Sequence, residues 1–175
     1  TTHFKHPKMK HINTEFNHLN KIKNNLIDGL KKNNIEIDII LCSEIYYNED
    51  IIEDLQNDFH HIGHRYYLVE FDPKILPISY EEKFFATQMN NLTPIIAHAE
   101  RYRNVQKNID LVKKWIDMGY IIQINCSSII GDYGPDIQKT AFKLIDKGLC
   151  HIIGSDAHDN LNRNFCLKSA LSIIR

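Results

Sequence analysis

The feature that most constrains the fold of this chain is a regular alternation of short β-branched runs with longer amphipathic stretches. The short runs have the length and composition of strands, and the longer stretches carry apolar residues about one helical turn apart. The predicted strands span 35–41, 66–71, 93–97, 120–125 and 150–154, and the predicted helices span 14–32, 48–55, 79–90, 109–118 and 135–147. This alternation predicts an α/β fold with a parallel sheet, either a barrel or a doubly wound sheet.

Length and charge limit what kind of protein this is. The 175 residues fit one domain, 1–175, and no linker or repeat divides them. Lys and Arg total 21 against 22 Asp and Glu, so the net charge of −1 gives no reason to expect nucleic acid as a partner. The sequence has no apolar run of about 18 residues, and it therefore predicts no membrane insertion. It begins Thr1-Thr2-His3 without methionine, and we expect that it lacks the amino terminus of a longer protein.

The four cysteines are far apart in the sequence. They are Cys42, Cys126, Cys150 and Cys166, and none forms a C-x-x-C pair, which argues against a zinc knuckle or a redox motif. Three of them lie in or beside apolar runs, where buried reduced thiols are usual. The cysteines therefore predict a reducing compartment, the cytoplasm.

Side chains that can bind metal stand at the carboxyl ends of the predicted strands. These candidate ligands come from five separate strand ends and are His3, Glu44, Glu70, His98, Asp156 and His158. In parallel α/β proteins the carboxyl ends of the strands form the ligand site, so we expect these side chains to converge. Taken singly, each is more often a solvated or structurally satisfied residue. The inference depends on the joint pattern, and Asp156-x-His158 is its strongest member.

Convergence of three carboxylates requires compensating positive charge. Without a cation they would repel one another, and some would have to hold a proton. Two or three divalent ions relieve that repulsion, and a mixed histidine and carboxylate set suits Mn, Fe or Zn better than Mg or Ca.

Other histidines are expected to lie outside the site. His60, His61 and His64 precede a strand, which places them at the surface on the opposite side of the sheet. His6, His11 and His18 are explained by a lysine-rich loop and a helix surface.

Four segments carry a resemblance to a known family. They are Ser43-Glu44-Ile45-Tyr46, 68–71, 95–102 and 154–158. Together they resemble the manganese-dependent bacterial tyrosine phosphatases of the polymerase and histidinol phosphatase (PHP) superfamily, which are associated with capsule and exopolysaccharide synthesis. The resemblance covers nearly the whole chain, and its most specific part is the His-x-Glu-Arg-Tyr form of 98–102.

The resemblance implies a distorted TIM-like (β/α)7 barrel of the PHP type. Its first strand, which in the family carries an Asp-x-His-x-His motif, is missing from this chain. The resemblance also implies that His3, Glu44, Glu70, His98, Asp156 and His158 are metal ligands. His3 is the poorest match, because Thr2 and Phe4 replace the proline and second histidine of the family segment. Arg101 and Arg163 match arginines that in the family engage the phosphate.

The activity implied is metal-dependent hydrolysis of phosphotyrosine in proteins, with a bacterial tyrosine kinase as substrate and partner. Mn²⁺ is the expected cofactor, with Fe, Zn, Co or Mg as alternatives, and the sequence carries no signal for the oligomeric state. Tyr46, Tyr102 and Tyr133 are candidates to contact the substrate ring. In no case does an Arg follow a Cys with five residues between them, which excludes a phosphocysteine mechanism.

Two alternatives to this function stay open. One is a PHP-type phosphatase for a small molecule such as histidinol phosphate. The other is a non-catalytic binding module that has lost part of its metal site.

Overall fold

Seven strands form one sheet in the protein, described here from a computed structural model that covers residues 1–9 and 15–174. The strands are β1 (Thr2–Phe4), β2 (Ser43–Tyr46), β3 (His61–Ile62), β4 (Tyr66–Glu70), β5 (Thr93–Ile96), β6 (Ile121–Asn125) and β7 (Ile152–Gly154). The order is β1-β2-β4-β5-β6-β7, with every neighbouring pair parallel. The short strand β3 pairs antiparallel with the start of β4. The predicted parallel α/β architecture is confirmed.

The sheet curls so that its two outer strands approach each other. β1 and β7 stand at opposite ends of the strand order. Nevertheless, Nε2 of His3, in β1, lies 3.1 Å from Nε2 of His158, four residues after β7. The sheet is therefore an open half-barrel, and the carboxyl ends of its strands meet at one rim.

Within the described residues, eight helices connect the strands or flank them. They are α1 (Phe16–Lys32), α2 (Ile51–Asp54), α3 (Tyr80–Met89), α4 (Arg103–Lys107), α5 (Asp110–Asp117), α6 (Cys126–Ile130), α7 (Pro135–Asp146) and α8 (Leu167–Ile173). Gly119 and Gly148 follow α5 and α7 with φ of 84° and 66°. Glycine adopts this left-handed backbone without steric cost, which is why it commonly ends helices.

Aromatic side chains fill the core between the sheet and α3 and α5. The ring centroid of Phe71 lies within 6.3 Å of five other rings, those of Tyr47, Tyr80, Phe84, Tyr102 and Trp115. Trp115 is fully buried, and its Nε1–H donates to Tyr80 Oη at 2.9 Å. Since Phe71 directly follows Glu70 at the end of β4, this cluster packs directly beneath the carboxyl-end rim of the half-barrel and supports it.

The predicted strand at 35–41 is wrong, because the strand in this part of the chain is β2. Ile35, Ile37 and Ile40 are 48%, 62% and 70% exposed. A strand needs a neighbour, and β1 has only three residues, which pair with 43–45. Within the described residues, 35–41 therefore has no strand beside it.

The structure also corrects the expectations for one histidine and for two cysteines. His60 is buried, with its Nδ1 2.9 Å from Ser43 Oγ and its ring 4.3 Å from that of Phe4, so it is a core residue and not a surface one. Cys126 and Cys166 form a disulfide with their Cα atoms 6.0 Å apart, so the prediction of reduced thiols is wrong for this pair. The reason is tertiary, because the start of α6 packs against the segment before α8.

Some elements lay outside the sequence prediction. The helices α4 and α6 and the strand β3 are two to five residues long, too short for hydrophobic periodicity to reveal. His11 and Thr14, which the sequence placed in a loop and at a helix start, lie outside the described residues. Over 1–9 and 15–174, no helix combines the length and apolar character that crossing a membrane requires.

Candidate metal centre

Glu44 and Glu70 reach the same face of the sheet because of strand register. Glu44 in β2 stands level with Leu68 in β4, and Glu70 follows Leu68 by two residues. Successive side chains on a strand alternate between faces, so Glu44 and Glu70 point the same way. Both are buried, at 4% and 6% exposure.

His98 completes this group from the end of β5. Its Nε2 lies 3.2 Å from Glu44 Oε1 and 3.3 Å from Glu70 Oε2. One ligand-type atom from each of the three residues lies within 4.8 Å of the others. The backbone of His98 is left-handed, with φ 35° and ψ 53°, and begins the turn Ala99–Arg101. This conformation is uncommon outside glycine and costs free energy, of order 1–3 kcal/mol.

His3 joins the group from the edge strand. Its Nδ1 lies 3.2 Å from Glu70 Oε1 and 3.7 Å from Glu44 Oε2. On the other side, its Nε2 faces His158 Nε2 at 3.1 Å. His3 therefore bridges the buried carboxylates and the loop after β7.

Asp156 lies between this group and two arginines. Its Oδ2 accepts from Arg163 Nη2 at 2.6 Å and from Asn125 Nδ2 at 2.7 Å, and Arg101 Nη1 lies 3.6 Å away. Its Oδ1 lies 3.6 Å from His158 Nδ1. The structure thus brings together all six predicted ligands and both predicted arginines, while their roles stay predictions.

The pKa shifts of the group show how the charge of its buried carboxylates is balanced. Burial raises the pKa of Glu70, but hydrogen bonds with His3 and His98 outweigh it and lower that pKa to about 2. Burial lowers the pKa of His98, but hydrogen bonds to Glu44 and Glu70 outweigh it and raise that pKa to about 9. Protons on imidazole thus offset the carboxylate charge in the metal-free protein. Converging imidazole nitrogens and carboxylate oxygens form a donor set that fits divalent transition-metal ions.

One histidine of the site was missed. His6 was assigned to a lysine-rich loop, but its Nε2 lies 3.7 Å from Glu70 Oε1 and its ring centroid 5.2 Å from that of His3. Burial lowers the pKa of its imidazole, which favours the neutral form that binds metals. The available signal was the spacing His3-x-x-His6 directly after a strand end.

The three tyrosines considered for the substrate ring differ in position. Tyr102 is fully buried, and its hydroxyl donates to Ala97 O at 2.9 Å and accepts from Phe71 N at 3.1 Å, so it is a packing residue. Tyr46 lies at the site, with its ring centroid 5.2 Å from that of His6. The ring of Tyr133 lies 4.9 Å from the guanidinium carbon of Arg101.

Comparison with known proteins assigns the chain to a family. A family model described as capsular polysaccharide synthesis, CpsB/CapC, matches residues 1–175. The chain belongs to this CpsB/CapC family. Its relatives include CapC of Staphylococcus aureus, 38% identical over 86% of this chain and 58% of the relative. The tyrosine-protein phosphatase CpsB of Streptococcus pneumoniae is 32% identical over 75% of this chain and 57% of the relative.

A solved structure agrees with the CpsB/CapC assignment. It is described as that of YwqE from Bacillus subtilis and CpsB from Streptococcus pneumoniae, unique metal-dependent tyrosine phosphatases. It matches with a TM-score of 0.83 at 27% identity, covering 90% of this chain and 65% of that chain. The matched part of the chain spans a little over half the length of its CapC and CpsB relatives.

Proposed function

We propose that this CpsB/CapC chain carries the metal site of a phosphatase that hydrolyses phosphotyrosine in proteins. The observation that carries the proposal is the meeting of Glu44, Glu70 and His98, with ligand-type atoms within 4.8 Å, at the rim that also bears two arginines. The names of CpsB and YwqE support the same reaction class.

The proposed ligands hold two or three divalent cations, with Mn²⁺ as the expected metal. They are His3, Glu44, Glu70, His98, Asp156 and His158, and His6 is placed to join them. When bound, such cations supply water activation near neutral pH and neutralise charge on a phosphoryl group. Because Glu70 has a pKa of about 2, its carboxylate is ionised and ready to bind a cation throughout the physiological range.

Arg101 and Arg163 hold the phosphate in this proposal. Both guanidinium groups border Asp156 and remain partly accessible, with side-chain exposures of 26% and 35%. A planar guanidinium can donate to two phosphoryl oxygens at once and stabilise the charge that they carry in the transition state. The ring of Tyr133 packs on Arg101 and limits the directions in which that fork can point.

Wider features of the proposal rest on the resemblance and on the family. We propose a single domain, 1–175, with the distorted TIM-like barrel of the PHP type. A bacterial tyrosine kinase that governs capsule synthesis is the proposed partner, in line with the family description. A cytoplasmic location is proposed from the resemblance alone, since the Cys126–Cys166 disulfide removes the argument from reduced thiols.

The test compares two substrates on the manganese-loaded protein. We expect a higher kcat/KM for a tyrosine-phosphorylated peptide than for histidinol phosphate, and loss of both activities on chelation with EDTA. Hydrolysis of histidinol phosphate alone would assign the site to a small-molecule phosphatase. Full metal loading without turnover of either compound would favour the binding module.

A further inference from the structure

Two buried amide side chains lie behind the metal centre without a role in the proposed chemistry. Gln123 and Asn125 are 8% and 0% exposed and stand two residues apart in β6, so their side chains share one face. That face points toward the end of β5, which carries His98, and toward the loop after β7, which carries Asp156.

A chain of three hydrogen bonds runs through these amides. The backbone N–H of His98 donates to Gln123 Oε1 at 2.7 Å, and Gln123 Nε2 donates to Asn125 Oδ1 at 2.8 Å. Asn125 Nδ2 then donates to Asp156 Oδ2 at 2.7 Å. Each amide accepts with its oxygen and donates with its nitrogen, so the chain has one direction, from the His98 peptide to the Asp156 carboxylate.

Buried contacts hold the backbone of β6 at Asn125 and the side chain of Gln123 in place. The backbone N–H of Asn125 donates to Glu100 Oε1 at 3.2 Å, and Ser128 Oγ donates to the same oxygen at 2.5 Å. Gln123 packs against the backbone of β7, where a Cβ added at Gly154 would lie 2.6 Å from Gln123 Nε2. The Gln123 amide also donates to Ile124 O at 3.1 Å, so its rotation would break three hydrogen bonds, and rotation of the Asn125 amide would break those to Gln123 and Asp156.

The hydrogen bond from Asn125 helps to give the two oxygens of the Asp156 carboxylate different partners. Oδ2 already accepts from Asn125 and Arg163, with Arg101 at 3.6 Å. Oδ1 instead faces the imidazole of His158 at 3.6 Å and accepts no bond from the amides. Holding Oδ2 therefore turns Oδ1 toward the proposed ligands.

We propose that Gln123 and Asn125 are positioning residues. Together they form an amide relay, the chain of hydrogen bonds from His98 N to Asp156 Oδ2, which fixes the position of the Asp156 carboxylate relative to His98. The relay keeps Oδ1 aimed at the cation site and keeps Arg101 and Arg163 at a fixed distance from the ligands of β2, β4 and β5. This inference rests on the proposed metal site. Outer groups that orient metal ligands commonly contribute 10- to 100-fold in metal affinity or activity.

The test measures Mn²⁺ affinity by competition with a chelator, in a double-mutant cycle. We expect Asn125→Ala to weaken Mn²⁺ binding about 10- to 100-fold. In the Asp156→Ala background the same change should have less than about a twofold effect, because the relay acts through Asp156. An equal loss in both backgrounds would show a merely structural role and overturn the proposal.

Further variants keep the test independent of folding. Asn125→Leu keeps a similar side-chain shape but cannot donate to Asp156 and adds no charge near the cations, so it should weaken Mn²⁺ binding at least as much as Asn125→Ala. Thr87→Val is the matched control: it removes a buried hydroxyl bonded to Tyr67 Oη at 2.9 Å, in α3, and should leave the affinity unchanged. Wild-type affinity in both Asn125 variants would refute the relay.

The proposal and the proposed function fail in different ways. If the protein binds Mn²⁺ but does not hydrolyse the phosphopeptide, the affinities still decide on the relay. If Asn125→Ala keeps both its Mn²⁺ affinity and its kcat while the wild-type protein is active, the relay is refuted and the phosphatase assignment stands.

Discussion

At the scale of single residues, the position of Arg101 allows its proposed role in phosphate binding to be tested separately from metal binding. Its Nη1 lies 3.6 Å from Asp156 Oδ2, at the edge of the ligand group. We expect Arg101→Ala to lower kcat by about 10²-fold, the usual loss when one donor to the transition state is removed. Metal content, measured by plasma emission spectroscopy, should not change.

A neighbouring arginine supplies the control for that experiment. Arg103 begins α4 and is exposed, so Arg103→Ala should keep the wild-type kcat. A normal rate for Arg101→Ala, or a loss of metal in that variant, would contradict the role proposed for Arg101.

The protonation of His98 predicts how metal binding depends on pH. Its hydrogen bonds to Glu44 and Glu70 outweigh burial and raise its pKa to about 9, so His98 is protonated at neutral pH in the metal-free protein. A ligand must lose that proton, and apparent affinity therefore rises with pH until the pKa is passed. We expect Mn²⁺ affinity to increase about tenfold per pH unit for each proton released, between about pH 6 and 8.

Competition with a chelator across that pH range measures the slope. The exposed His18 on α1 gives the control, since His18→Ala should leave the slope unchanged. An affinity that is flat with pH would mean that no proton is displaced from His98.

Residues differed in how well the sequence predicted their place. Glu44, Glu70 and His98 could be picked out because strand ends converge in any parallel α/β sheet. His6 could not, because its approach to Glu70 depends on the path of the chain after β1. Gln123 and Asn125 carry no charge and no motif, so only their buried hydrogen bonds reveal them.

At the scale of elements, β6 and β7 pack closely because Gly154, in β7, has no side chain to displace Gln123 in β6. A Cβ there would lie 2.6 Å from Gln123 Nε2, which is closer than real contacts allow. We expect Gly154→Ala to destabilise the protein by about 1–3 kcal/mol, the usual cost of overpacking, and to weaken Mn²⁺ binding. Denaturant unfolding and the chelator assay measure the two effects.

A helical glycine provides the matched control for Gly154. Gly29 in α1 has no atom within 4 Å of an added Cβ, so Gly29→Ala should stabilise the protein by about 0.4–1 kcal/mol. Equal effects of the two substitutions would mean that Gln123 does not press on β7.

Prediction of elements succeeded where the apolar pattern and the pairing of strands agree. The runs at 66–71 and 93–97 became β4 and β5 because each has parallel neighbours on both sides. The run at 35–41 has the composition of a strand, but composition does not supply a partner. The strand formed instead at Ser43–Tyr46, where β1 and β4 could both pair with it.

At the scale of the whole molecule, the aromatic cluster around Phe71 joins the core to the rim that bears the candidate metal ligands. Phe71 contacts five aromatic rings and directly follows Glu70. We expect Phe71→Ala to lower the free energy of unfolding by about 3–5 kcal/mol, through lost burial and a cavity. The single tryptophan, Trp115, is fully buried and reports unfolding by its fluorescence.

An exposed phenylalanine tests whether burial is the cause. Phe85 in α3 is 62% exposed, and Phe85→Ala should change the stability by no more than about 0.5 kcal/mol. Similar losses in both variants would argue against Phe71 as the centre of the core.

The architecture of the whole molecule could be predicted only to a certain depth. Alternation of strand and helix indicated a parallel α/β fold, and this is confirmed. Alternation alone left a barrel and a doubly wound sheet equally open, because both obey it. The contact between His3 and His158 shows that the sheet curls, and it joins residues 155 positions apart, which no local sequence pattern reveals.

The left-handed backbones of His98 and Asp156 oppose stability to the function proposed for these two residues. Their φ angles are 35° and 49°, a conformation that glycine adopts at a lower cost in free energy. A glycine at either position, however, would have no side chain to bind a metal. Laboratory evolution for heat resistance alone would therefore select variants that lose the proposed reaction. A screen for hardier forms of this protein has to retain a selection for turnover throughout.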